Sequence, residues 1–297
     1  LIYVSVFSNP NDTVVAFAKP CQKNNNNRVT LGLLALNIAK LKFLNVPIFD
    51  EIRQVMTIVH ETFHIFAFNN LLVKSPHLKG AVAQPSLNYL KLFEGMKTSP
   101  IPDSQHWSPA FLPNDIMVPV SRIDGIISIF SLELVDNTSP EIFSSRKFLQ
   151  NNISMDLIYD FKKYLSNPCE QTHLFCKDRS RPWGCDYSGL YKTQCDSAPL
   201  ATNCRAKKPV ISGVCIDPLN DKTKINKIEF YGDGSRCFET NKGDKSYCLK
   251  AQIEKNNLVI IAGGARYECK DGVKEVEINK IMIQCPQSID TFNKNLE

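Results

Sequence analysis

Two runs of β-branched and alternating residues open the chain and predict two β-strands. They are LIYVSVF at residues 1–7 and TVVAFA at residues 13–18, and the turn-forming segment SNPND separates them. We expect a hairpin or an adjacent strand pair from this arrangement. The longest apolar run follows at residues 31–41. Asn37 and Lys40 interrupt it, and it is too short to span a bilayer.

Apolar residues then recur at helical spacing. Asp50 is a suitable N-cap, so the pattern predicts a helix from about Glu51 to Phe66. His60 and His64 extend its apolar stripe. Because four residues make just over one helical turn, both imidazoles are expected on one face. The other members of the stripe are Ile52, Val55, Met56, Val59 and Phe63.

Later segments differ in pattern and predict two domains. Residues 69–105 contain four prolines and are expected to form an insertion, whereas residues 126–135 and 151–165 have helical periodicity. Beyond Pro168 the composition changes to frequent cysteines and short apolar runs such as KIEFYG and NLVIIAGG. We therefore expect an α+β chain with domains at residues 1–167 and 168–297.

The cysteine content indicates an oxidising compartment. Ten of the eleven cysteines fall between Cys169 and Cys285, enough for five disulfides whose pairing the sequence does not reveal. The absence of a CxxC pair favours disulfides over a structural zinc site. Sequons at Asn11, Asn137 and Asn152 fit an extracellular or cell-surface glycoprotein.

Charge and the N-terminal sequence add less. The net charge of +5 comes from 35 basic and 30 acidic residues, so no nucleic-acid partner is indicated. The chain starts at Leu1 without a basic segment or a cleavage site, and we interpret it as part of a longer precursor. Neither a membrane-spanning segment nor a lipid-anchor signal is visible in the sequence.

The motif HETFH at residues 60–64 is typical of a zinc site on a helix. His60 and His64 can bind one metal ion, and Glu61 lies about 100° round the helix, where it can act as a general base on a metal-bound water. The alternative interpretation is that His60, Glu61 and His64 are ordinary polar residues of an amphipathic helix that binds no metal. A third ligand decides between these readings, and the residues alone leave His106, His77 and His173 open.

Several separated pieces of residues 1–136 resemble the leishmanolysin family of metzincin metalloproteases. They are HETFH followed by Phe68, TVVAFAKPCQ near the start, the later pair His106-Trp107, and NDIMVPVS around Met117. The cysteine-rich remainder, including GCDYSGLYKTQC and GSRCF, also resembles the family. The resemblance implies a metzincin-like domain with a mixed sheet and an active-site helix, followed by a disulfide-rich, largely β or irregular domain.

The resemblance also implies a site. His60, His64 and His106 would bind one catalytic Zn²⁺, Glu61 would be the catalytic base, and Met117 would form the Met-turn beneath the metal. Three positions differ from the family pattern. They are Ala67, where the family has a glycine, Ser108, where an acidic residue is usual, and Cys21, which lacks the expected partner.

The expected function is that of a secreted or surface zinc endopeptidase, with protein or peptide substrates and direct attack by water. A second hypothesis is a catalytically silent relative that binds cell-surface or matrix ligands through its cysteine-rich domain. Ala67 and Ser108 motivate it, and the intact HETFH motif argues against it. A third is a disulfide-rich structural protein with an accidental motif.

Overall fold

The computed structural model describes two compact units. The first comprises Leu1–Val46 with Asp50–Asn167, and the second comprises Pro47–Phe49 with Pro168–Glu297. The described residues are 1–25, 29–43, 46–68, 105–109, 112–120, 122–138, 174–176, 183–186, 188–196, 205–221, 228–255, 257–270 and 273–286. Outside these ranges lie the expected helix at 151–165, nearly all of the expected insertion, His77, His173, Asn152, Cys169 and Cys204.

A mixed three-stranded sheet forms the start of the first unit. Its strands are β1 (Ile2–Phe7), β2 (Ala16–Lys23) and β3 (Val29–Asn37), in the order β1-β3-β2. β1 pairs with β3 in parallel and β2 pairs with it antiparallel. The expected pairing of the first two strands, as a hairpin or as an adjacent pair, is therefore wrong, because β3 lies between them. The most apolar and most buried strand, β3, takes the central position, where both neighbours cover it.

A buried asparagine at the end of β3 fixes the loops beside the sheet. The Asn37 side chain is fully buried, and its amide nitrogen donates to the carbonyls of Asn9 and Val14 at 2.9 and 3.0 Å. Its amide oxygen accepts from the backbone N–H groups of Asn9 and Ala39. The residue that interrupts the apolar run is thus a fully hydrogen-bonded polar group in the sheet.

Helix α1 spans Ile48–Phe66 and begins three residues before the predicted start. Asp50 is consequently not the N-cap. It lies in the first turn, where its carboxylate is favourable near the helix N-terminus and binds the Lys42 ammonium at 2.5 Å. Val55, expected on the apolar stripe, is 53% exposed. The helix end agrees with the sequence prediction.

Close packing positions α1 on the sheet. A Cβ atom on Gly32, in the central strand, would lie 2.2 Å from Cγ2 of Ile65, which is completely buried. Only a glycine allows this approach of strand to helix, since such a contact is far below the van der Waals distance. The approach places the last turn of α1 against β3.

The second helix, α2, spans Ile129–Thr138, three residues later than the predicted 126–135. Ile126 instead pairs with the chain around Asp115, and its N–H donates to the carbonyl of Asn114 at 2.8 Å. The Ser128 hydroxyl accepts from the Ser131 N–H, so Ser128 acts as the N-cap that the periodicity did not indicate. A buried core joins both helices through Phe63, Ala67, Phe68, Trp107, Ile116, Met117, Val118, Phe130, Leu134 and Val135.

The second unit consists mainly of short antiparallel strands. One sheet has the order β4-β7-β6-β5, another the order β11-β10-β9-β8, and β12 pairs with β13. A short 3-10 helix, Pro218–Asn220, follows β7. The strands are β4 Phe175–Cys176, β5 Trp183–Cys185, β6 Tyr191–Cys195, β7 Arg205–Val214, β8 Ser235–Glu239, β9 Ser246–Glu254, β10 Asn257–Ala262, β11 Ala265–Cys269, β12 Glu275–Ile278 and β13 Ile281–Gln284.

Of the two runs expected as strands here, NLVIIAGG forms β10, but the described part of KIEFYG forms no strand. That part is joined to β9 by isolated hydrogen bonds, such as the one from the Phe230 N–H to the carbonyl of Cys248. The α+β class and the mixed sheet with a helix are confirmed. The metzincin identity of the fold stays a prediction.

Among the described residues of the second unit, four disulfides connect strands or the residues that directly follow them. They confirm the disulfide-rich character and fit an oxidising compartment. Among the described cysteines, Cys21 alone is free, and it is exposed on β2. The prediction that Cys21 lacks a partner is therefore confirmed. The pairs are Cys176–Cys195, Cys185–Cys237, Cys215–Cys248 and Cys269–Cys285.

Because of the contact between Gly32 and Ile65, the effect of Gly32→Ala on the free energy of unfolding should depend on which residue occupies position 65. Gly32→Ala should lower the free energy of unfolding by about 1–3 kcal/mol, because the new methyl group overlaps Ile65. With Ile65→Ala in the background the overlap disappears, and the same change should be neutral or stabilising because alanine loses less backbone entropy than glycine. Urea unfolding measures both. Equal destabilisation in the two backgrounds would contradict this account.

Candidate metal centre

The three histidines that the sequence singled out lie together. One ligand nitrogen from each of His60, His64 and His106 can be chosen so that all three lie within 4.8 Å of one another. The His106 ring stacks on His60, with centroids 5.2 Å apart, and meets His64 edge-on at 4.9 Å. The helix supplies two rings one turn apart, and a distant segment supplies the third.

Backbone carbonyls fix which nitrogen of each helical histidine faces its neighbour. Nδ1 of His60 lies 2.6 Å from the carbonyl oxygen of Ile116, and Nδ1 of His64 lies 2.5 Å from that of Phe68. A carbonyl can only accept a hydrogen bond, so each Nδ1 carries the proton and donates it. Each Nε2 is then unprotonated in the neutral ring. These two Nε2 atoms face each other at 3.0 Å.

Such an arrangement fits a cation. Two nitrogen lone pairs 3.0 Å apart repel each other unless a positive charge lies between them. Zinc binds imidazole nitrogens at about 2.0–2.1 Å in tetrahedral geometry, which separates two such nitrogens by about 3.4 Å. Burial lowers the pKa of His60, as does the charge of His106, whereas the hydrogen bond to Ile116 raises it. The neutral imidazole that a metal requires is therefore favoured over a protonated one.

Glu61 lies beside this group without belonging to it. Burial raises the pKa of its carboxyl group to about 7, and the backbone N–H of Ala18, on β2, opposes the shift by donating to the carboxylate. A carboxylate with a pKa near neutrality can take up and release a proton at physiological pH. Glu61 is not among the residues whose ligand atoms meet here, and its role as the general base stays a prediction.

Met117 belongs to the segment that holds the first histidine. It is completely buried, and its carbonyl accepts from the Trp107 N–H at 2.8 Å. The preceding carbonyl, of Ile116, is the acceptor for His60. This turn therefore positions His60 through the carbonyl of Ile116, and it positions Trp107, the residue after His106, through the carbonyl of Met117. The role of Met117 as a Met-turn beneath a metal stays a prediction.

Sequence reasoning missed the residue that organises this turn. The Asp115 carboxylate is 1% exposed and accepts from the N–H groups of Met117 and Ser128 at 2.7 and 3.1 Å. It also accepts from the hydroxyl of Ser131 at 2.8 Å, and Ser131 in turn accepts from the Trp107 indole N–H at 2.8 Å. The Ser128 hydroxyl is the fourth donor to this carboxylate. Burial raises the pKa of Asp115, whereas these hydrogen bonds lower it.

The Asp115 network therefore joins the turn that holds His60 to Trp107, the neighbour of His106. The signal in the sequence was weak: an aspartate next to an asparagine in a proline-bounded stretch predicts only a turn. A carboxylate that is buried with four donors around it is recognised from the fold alone.

The end of α1 helps to position His64, although Ala67 stands where the family has a glycine. The N–H groups of Ala67 and Phe68 both donate to the carbonyl of Phe63, at 2.9 and 3.2 Å. Ala67 is not among the described residues with a positive φ, so the helix ends here without the left-handed conformation that favours glycine. The chain turns tightly, and the carbonyl of Phe68 reaches Nδ1 of His64.

The remaining predicted residues lie as follows. Asn11 is exposed, as glycosylation requires, and Asn137 lies in the last turn of α2. Ser108 follows Trp107, and its carbonyl accepts from the N–H of Leu112 at 3.1 Å.

None of the helices in the described ranges is long and apolar enough to cross a membrane.

Comparison with known proteins adds no family assignment: no protein-family model matches the chain, and no curated protein matches it.

Zinc affinity should depend on His106. His106→Ala is expected to weaken zinc binding by more than about 100-fold, because two imidazoles alone hold the ion poorly. Competition with a chromophoric chelator measures the affinity. His77→Ala and His173→Ala are the matched controls, since the sequence left both open as the third ligand. If either of these, and not His106→Ala, abolished binding, the assignment would be wrong.

Asp115→Asn tests the network beneath the site. The amide replaces one acceptor oxygen with a donor that faces other donors, so we expect a loss of about 1–3 kcal/mol in unfolding free energy and about tenfold weaker zinc binding. Asp124→Asn is the control, because Asp124 pairs with Arg122 instead of joining this network. Unfolding and chelator competition provide the two readouts. Zinc affinity that is unchanged in folded Asp115→Asn would contradict the positioning role.

Proposed function

We propose that this protein is a zinc-dependent endopeptidase. One observation carries the proposal: two imidazoles whose Nδ1 protons are committed to backbone carbonyls turn their Nε2 lone pairs toward one point, with His106 beside them. Three neutral ligands from protein are the set that catalytic zinc sites use, because the fourth position stays open for water. The resemblance to leishmanolysins supports the same assignment.

His60, His64 and His106 would hold the ion. A zinc ion bound there would act as a Lewis acid that lowers the pKa of water toward 7 and polarises the carbonyl group of the scissile peptide bond. The residue that moves the proton is Glu61. Its carboxylate would take a proton from the attacking water and donate it to the leaving amine nitrogen, so no covalent intermediate with the protein forms.

A peptide substrate has a place to bind beside Glu61. β2 is an edge strand of its sheet among the described strands, and the N–H of Ala18 on this strand already reaches the Glu61 carboxylate. Extended peptides bind to such edges through backbone hydrogen bonds, which depend little on sequence. This placement would bring a peptide carbonyl close to the general base. It supports an endopeptidase over a hydrolase of small molecules.

Glu61→Gln separates catalysis from metal binding. The amide cannot accept a proton from water, so cleavage of an unfolded protein such as casein should fall by at least about 1,000-fold while zinc affinity stays within about threefold. Glu51→Gln, on the exposed start of the same helix, is the matched control and should cleave normally. Full activity in Glu61→Gln would remove this residue from the mechanism. Zinc binding without activity in the parent protein would favour a binding function instead.

A further inference from the structure

A cavity of about 430 Å³ opens within the cysteine-rich unit. Its walls come from β5, β6, β7 and β9 together with the segment at residues 228–231 and the short 3-10 helix. The volume falls within the range of about 300–1,000 Å³ in which proteins bind small ligands. None of the residues assigned to the histidine site lines it.

An irregularity in β7 creates one wall. Tyr191 pairs with Val214 and Thr193 pairs with Pro209, so two steps along β6 correspond to five along β7. The three additional residues form a large bulge in the strand. Bulges of this kind redirect side chains and are frequent beside binding sites.

A glycine makes the bulge possible. A Cβ atom on Gly213 would lie 2.6 Å from both Cβ of Lys192 and Cγ2 of Val210. The bulge therefore needs a glycine at this position. Val210 and Ser212, on either side of the displaced backbone, line the cavity. The wall is thus specified by the sequence.

Disulfides make the cavity floor rigid. Tyr231 lines the cavity and packs in one buried cluster with Cys215, Cys237 and Cys248. Cys237 is bonded to Cys185 on β5, and Cys215 is bonded to Cys248 on β9. Two covalent links between the walls hold the cavity open without a ligand. A preformed site loses less conformational entropy on binding.

The charges inside the cavity balance. The Lys192 ammonium forms an ion pair with the Glu229 carboxylate, and it also lies 5.6 Å from the centre of the Tyr231 ring. The N–H of Cys248 donates to the same carboxylate at 3.0 Å. Lys245 also lines the cavity, but it is exposed, so water screens its charge. The interior therefore suits a neutral polar ligand better than an anion.

Aromatic side chains complete the lining. Trp183 is 42% exposed at the cavity, and Tyr247 is partly exposed. Ser246 also lines the cavity, but its hydroxyl oxygen is buried from solvent. The apolar surface that a ligand can contact therefore comes mainly from the two aromatic rings.

We propose that the cavity binds a neutral sugar ring. The C–H face of a sugar is apolar and stacks on an exposed indole, and its hydroxyl groups both donate and accept hydrogen bonds. Trp183 provides the stacking surface. The Lys192–Glu229 pair provides a charged donor beside a charged acceptor. The site recognises glycans independently of the proposed peptidase activity.

Saturation-transfer NMR on the full chain tests the proposal. The probes are the methyl glycosides of glucose, mannose, galactose and N-acetylglucosamine, with the methyl glycoside of sialic acid as an anionic comparison. At least one neutral glycoside should bind with a Kd on the order of 1 mM, and Trp183→Ala should weaken it by at least about tenfold. Absence of binding by all neutral glycosides at tens of millimolar, or a preference for sialic acid, would overturn the proposal.

Two further variants keep the test decisive if Trp183→Ala does not fold. Ser212→Leu places a bulky apolar side chain without a stacking surface at an exposed position of the bulge, and it should weaken binding by at least about tenfold because it occupies part of the cavity, with little change in Tm. Tyr267→Ala, an aromatic position on β11 outside the cavity, should bind normally. Binding that is unchanged in Ser212→Leu would overturn the assignment to this cavity. His106→Ala should bind sugar normally, which separates this site from the metal centre.

Discussion

Two hydrogen bonds from imidazole to backbone carbonyl determine what the rest of this site can do. Because Nδ1 of His60 and Nδ1 of His64 both donate to carbonyls, their Nε2 lone pairs must converge, and that convergence is stable only around a positive charge. The proposed hydrolysis depends on this. Without a cation at the point where the lone pairs meet, Glu61 would have no activated water to deprotonate.

Both carbonyls come from irregular backbone that other interactions hold. The carbonyl of Phe68 is positioned by the tight turn at the end of α1, where the carbonyl of Phe63 accepts two N–H groups. The carbonyl of Ile116 is positioned by the turn around Asp115, whose buried carboxylate also bonds the serine that holds Trp107. The Gly32 contact sets the helix on its sheet. The orientation of the ligands is thus set by backbone and side-chain groups that are not themselves ligands.

The sequence predicts the local half of this arrangement and little of the remote half. His60, Glu61 and His64 fall on one helix face because of spacing alone, whereas His106 is indicated by family resemblance. Pattern gives no preference for β3 as the central strand, since pairing order depends on burial across the whole sheet.

Other features depend on contacts between residues far apart in sequence. The disulfide pairing and the cavity beside Trp183 both require strands of the second unit to meet. Asp115 is unremarkable in sequence because its importance comes from four donors that only the fold gathers. The helix start differs for a local reason: Asp50 pairs with Lys42 and remains inside the first turn.

The central claim is that three imidazoles hold one catalytic metal ion. Zinc K-edge X-ray absorption of the purified chain, loaded with one equivalent of zinc, tests it most directly. Three imidazole nitrogens and one oxygen are expected around the zinc at about 2.0–2.1 Å. A sulfur ligand at about 2.3 Å would indicate binding through the free thiol of Cys21 instead, and fewer than three imidazoles would contradict the site described here.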